Sequence, residues 1–99
     1  MSFFSVSAAE LRKKAELLKG LNARFKTNVE SLETTEQALK SMWEGQANDE
    51  FHAAFTRDKG QMDAFHTVIE QYIEALLIIA QRYEEAENRN IATASSRTY

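Results

Sequence analysis

Ninety-nine residues with 43% hydrophobic and 27% charged side chains, three glycines and no proline suit one small helical domain; they leave little material for the turns of a sandwich or barrel. Without cysteine there is no disulfide framework and no thiolate metal site, and a net charge of −3 weighs against nucleic acid as the main partner. The longest apolar run, Ala75 to Ala80, is too short for stable membrane insertion, and the stretch from Met1 lacks the basic start and apolar run of a cleavable signal peptide.

The first helix is expected over about residues 8–42. Ser7-Ala-Ala-Glu10 has capping-box spacing, in which hydroxyl and carboxylate each take one orphan N–H. Behind it Leu11, Leu18, Phe25, Leu32 and Leu39 recur every seven residues, with Ala8, Ala15, Asn22, Val29, Glu36 and Trp43 in the companion positions. This is a heptad seam, apolar in one column and mixed in the other. Leu17 and Leu21 widen the face around Leu18, and the stripe stays in phase through Gly20.

The stop signals gather at Trp43-Glu44-Gly45, so a turn is expected at about 43–47. Gly45 can adopt a left-handed backbone without a Cβ clash, and Asn48 and Asp49 follow as caps for the next helix.

The second helix is expected over about 48–88, starting between Gln46 and Glu50. Its seam reads Phe51, Phe55, Asp58, Met62, Phe65, Ile69, Tyr72, Leu76, Ile79 and Tyr83, in steps of four and three. Only Asp58 breaks the apolar pattern. Asp58-Lys59-Gly60 could be a turn, but the phase carries through it, which predicts one continuous helix, bent at most. Ile73, Leu77, Ile78 and Ala80 make the helix apolar nearly all round. Counting outward equally from Gly45 sets Leu18 opposite Tyr72, Leu17 opposite Ile73 and Leu21 opposite Ile69. A single hairpin leaves that double-width patch wet, and pairing two hairpins into a four-helix bundle covers it. From Asn88 the pattern fades, so residues 89–99 are expected to be a flexible tail.

Charge divides unevenly. Residues 1–43 hold seven Lys/Arg against five Asp/Glu, and residues 44–87 hold three against ten. The cations Arg12, Lys13, Lys14, Lys19, Arg24 and Lys26 read as a solvated face beside an acidic helix, not as a nucleic-acid stripe. His52 and His66 are fourteen residues apart, about 20 Å along a helix, and cannot share a metal within one chain. Asp63-x-x-His66-x-x-x-Glu70 lies on one helical face but lacks the second motif a di-iron bundle needs. No phosphate loop or nucleophile elbow is present, Met42 and Met62 read as apolar filler, and no catalytic, cofactor-binding or metal residue is expected.

Trp43-x-Gly45 at the turn and Tyr83-x-x-x-Glu87 at the end of the second helix, in a proline-free chain of about this length, resemble the Trp-x-Gly (WXG) family. These are the early-secreted-antigen-like substrates of the bacterial type VII (Esx/Ess) secretion system. The resemblance implies an all-α antiparallel hairpin that pairs into a four-helix bundle, with itself or with a paralogous Trp-x-Gly protein. It also implies export without a cleaved leader from a Gram-positive bacterium, with Tyr83 and Glu87 read by the membrane ATPase. Asn90 stands where the family's longer export pattern often has an apolar residue. Trp43 and Tyr83 lie about 55 Å apart in one chain, so a surface using both must take them from two antiparallel copies. The rival reading is an intracellular helical-bundle adaptor. In either case the expected work is binding.

Overall fold

The computed structural model describes residues 6–96, and its two elements are α1, Ala8–Met42, and α2, Gln46–Ser96. They form an all-α antiparallel hairpin, a rod of 84 × 21 × 16 Å. Neither helix contains proline, and α2 runs unbroken through Asp58-Lys59-Gly60. The leader reading at residues 1–5 and the last part of the tail, 97–99, lie outside the described residues.

The start of α2 falls at the early edge of the expected range, Gln46 to Glu50, and its end differs from the sequence reading. The helix begins at Gln46, because the Gly45 carbonyl already accepts the N–H groups of Asn48 at 3.1 Å and Asp49 at 3.3 Å. Asn48 and Asp49 are therefore first-turn residues, not caps, and the turn shrinks to 43–45. At the other end α2 continues through Ser96, eight residues beyond the expected stop at 88. No glycine or proline follows Gly60, and Ala86 and Ala92 favour helix, so nothing terminates the hydrogen-bond ladder. Ile91 is 64% exposed, and the helix runs on past Glu87, the residue that meets the first N–H of α1.

At the corner Gly45 has φ +119°, and a Cβ built there would meet nothing within 4 Å. Gly45→Ala is therefore strained by backbone and not by collision. It should lower stability by about 1–2 kcal/mol, seen as a lower midpoint in a thermal melt.

The two columns of the α1 seam divide the work. Ala8, Ala15, Asn22, Val29 and Glu36 are buried, whereas Leu32 is 49% exposed and Leu11, Leu18 and Phe25 are half-buried. Small or slender side chains let the helices approach, which pushes the leucine column onto the flank. α2 divides in the same way. Phe55, Met62, Ile69 and Leu76 are half-buried towards α1, with Ile73 and Ala80 buried. The other column, Phe51, Asp58, Phe65, Tyr72 and Ile79, is exposed. Asp58 is tolerated in the apolar pattern because its column faces away from α1.

Candidate interaction face

Each functional residue inherits its direction from this division. On antiparallel right-handed helices, the leucine flank of α1 and the exposed column of α2 turn to the same side of the rod. Leu18, Leu21, Phe25, Phe65 and Ile69 line one shared groove there, and the rings of Phe25 and Phe65 meet edge to face at 5.5 Å. Leu32 and Leu39 on α1, and Phe51, Tyr72, Ile79 and Tyr83 on α2, extend the apolar face towards both ends. Only part of the double-width patch read from the sequence is wet in the single chain: Leu17, Leu21, Tyr72 and Ile78 are exposed, whereas Ile73 and Ala80 are buried. Large exposed apolar patches of this kind mark binding surfaces.

The opposite side mixes polar groups with Ala23, Ile73 and Leu77 and carries side-chain hydrogen bonds between the helices. Buried Glu36 bonds His52 across the seam, and the Asn22 amide donates to the His66 carbonyl at 3.1 Å. Lys59 reaches Asp63 at 2.9 Å and Glu33 at 3.0 Å, and these bonds hold its ammonium pKa above the ordinary lysine value. His66 pairs with Glu70 at 3.2 Å. The Asp63, His66, Glu70 set is therefore divided, with Asp63 engaging Lys59 and Glu70 engaging His66. Among the described residues no group of three or more His, Cys, Asp or Glu could hold a metal ion, and no helix is long and apolar enough to cross a membrane.

At the corner, Trp43 ends α1 in extended backbone and lies half-buried with its ring 6.0 Å from that of Phe51. What locks the corner is Asn48. Its amide nitrogen donates to the Trp43 carbonyl and, at 3.3 Å, to that of Lys40, satisfying two orphan acceptors at the end of α1. The side chain is 6% exposed, and its Oδ1 is buried without a partner. The sequence reading had placed Asn48 at the right corner but assigned it to the wrong helix.

At the open end Tyr83 is 45% exposed and belongs to the apolar face. Glu87 has a second duty: its Oε1 accepts the Ala8 N–H at 3.2 Å, while Ser7 Oγ accepts that of Glu10, also at 3.2 Å. A carboxylate at a helix N-terminus also meets the favourable end of the dipole. One turn earlier in α2, Arg12 and Glu84 form a surface pair at 2.6 Å. Glu87 is thus tied into the fold, whereas Tyr83 is not. The geometry keeps Trp43 and Tyr83 at opposite ends of the rod and on its apolar side. It offers a long exposed apolar face.

Comparisons with known proteins agree with this architecture. The family described as WXG100, "Proteins of 100 residues with WXG", matches residues 4–88. Among solved structures, the crystal structure of the secreted protein ESXB from Bacillus anthracis str. Sterne has a TM-score of 0.77 at 21% identity, covering 88% of this chain and 99% of that one. Its wild-type form in another crystal setting has a TM-score of 0.74 at 22% identity, covering 84% and 89%. No curated protein matches the sequence.

Proposed function

The chain belongs to the WXG100 family, and from that premise we propose that it is a substrate of a type VII (Esx/Ess-like) secretion system, exported as a pair of hairpins. Its partner is itself or a paralogous Trp-x-Gly protein, and the membrane ATPase reads the end of α2. The observation that carries this reading is the single apolar face, with Trp43 and Phe51 at one end and half-exposed Tyr83 at the other. An antiparallel mate laid on that face brings its own Tyr83 to the Trp43 corner, so each end of the bundle presents both motifs. The description of ESXB as a secreted protein supports export as the destination. The work done is recognition, first of the mate and then of the machinery.

Tyr83→Ala separates recognition from folding. The side chain is half-exposed near the open end, so the variant should melt within about 1 kcal/mol of the parent. Its appearance in culture fluid should fall to background. A variant that melts like the parent and is secreted like the parent would remove the export role, and retention of the parent chain inside the cell would favour the adaptor reading. Glu87→Ala is the poorer test, because it also uncaps α1.

A further inference from the structure

At the open end of the rod one carboxylate serves two purposes. Tyr83 and Glu87 are four residues apart, so a receptor that reads both meets them one turn apart on α2. Tyr83 is 45% exposed. Glu87 is exposed as well, but its Oε1 accepts the Ala8 N–H at 3.2 Å, which turns the carboxylate under the first turn of α1. Ala8 is only 4% exposed, so its N–H has little water to turn to if the carboxylate leaves. One turn earlier, the Arg12 guanidinium donates to Glu84 Oε2 at 2.6 Å, with both side chains about half exposed. Both contacts cross from α2 to the start of α1, and both engage acids beside Tyr83.

These two duties of Glu87 conflict. The carboxylate has lone pairs to spare, but the turn of α1 that begins at Ala8 stands on the side to which it points. In the closed rod a receptor therefore reaches the Tyr83 ring and finds Glu87 already held. To grip both residues it must first part the end of α2 from the start of α1.

We infer that the Glu87–Ala8 bond and the Arg12–Glu84 pair form a latch that restrains export, and that the machinery takes the end of α2 only when this latch is open. The inference rests on the reading of the protein as a substrate recognised at the end of α2, and adds how that recognition is held back. Opening gives up one charge-assisted hydrogen bond, whose donor is left buried on Ala8, and one surface ion pair. Losses of that size keep most molecules closed without sealing the end. A receptor that offers Glu87 a cation or an N–H of its own offsets them and shifts the population to the open form.

Ala8→Pro opens the latch without touching Tyr83 or Glu87. Proline has no N–H to give the carboxylate, and Ala8 is the first residue of α1, where a fixed φ suits the helix. Ser7, with φ −86° and ψ 158°, already has the extended backbone that a following proline requires. Arg12→Ala removes the ion pair alone, at a half-exposed position. Amide hydrogen exchange over residues 9–14 and 83–90 reads the opening, and the amount of chain in culture fluid reads recognition. Exchange there should be about tenfold faster in Ala8→Pro and about twofold faster in Arg12→Ala, with the corner around Asn48 unchanged. Both variants should leave the cell faster than the parent, in the same order. If Ala8→Pro loses its thermal transition, Arg12→Ala decides by the same two measurements. Faster exchange with unchanged or slower export would overturn the restraint while leaving the export reading intact, and unchanged exchange in both variants would overturn the latch itself. Tyr83→Ala added to Ala8→Pro should return export to background. Export that survives this addition would remove the recognition of α2 on which the inference rests.

Discussion

Ile73→Asp is expected to abolish the cooperative thermal transition at neutral pH. Ile73 is 6% exposed and, with Ala80, is one of two buried apolar residues among the described residues of α2. Among the described residues no large side chain is fully buried, so little apolar burial stands against the cost of ordering the chain. Placing a carboxylate there removes about 2–3 kcal/mol of burial and adds an unpaired charge at a cost of several more. A two-helix domain has only a few kcal/mol to lose. The same replacement at Gln81, which is exposed, should leave the melt within about 0.5 kcal/mol of the parent. Leu76, half-buried on the flank, is expected to fall between them. Equal melts for the Ile73 and Gln81 variants would show that the hairpin packs in a different rotation.

The second large effect is expected at the corner. Asn48→Asp preserves side-chain shape but replaces an amide that donates to the Lys40 and Trp43 carbonyls with a carboxylate that can only accept. Two lost bonds, three crowded acceptors and a buried charge near the negative end of α1 should destabilise the fold by about 3 kcal/mol or more. Asn48→Ala, which leaves two carbonyls unpaired without adding charge, should cost about 1–2 kcal/mol. The ordering Asp worse than Ala, measured in urea, is the test. If the aspartate variant is the more stable of the two, its favourable placement in the first turn of α2 has outweighed the clash with α1.

Much of this was legible because helices announce themselves locally. The capping serine, the seven-residue repeat and the glycine at Gly45 depend on near neighbours, and all three took the expected form. The seam residues were identified together, but not which column faced the other helix. Leu, Phe and Tyr suit a fold core and a partner surface equally, and the choice is made by small residues such as Ala15 and Ala80, whose hydrophobicity is weak but whose size permits close approach. The polar seam was harder to read. Glu36 and His52 are sixteen residues apart in sequence, and only the closed corner brings them together. The position of Asn48 resisted reading for a related reason. A side chain that can cap its own helix can also cap the preceding one, and the three-residue corner decides between them. The helical run to Ser96 was missed because a fading apolar pattern records the end of packing, not the end of the helix.

That three-residue corner also sets the order in which the hairpin closes. Contacts beside it span short stretches of chain, as in the five residues from Trp43 to Asn48, and each further turn encloses a longer loop, up to the 79 residues separating Ala8 from Glu87. Closure entropy rises with that separation, so the helices zip from the corner outward and part from the open end. The strand of events is thus polar. The stretch carrying Tyr83 and Glu87 docks last and lets go first, which leaves the end of α2 as the part of the rod most often free while the corner is still shut.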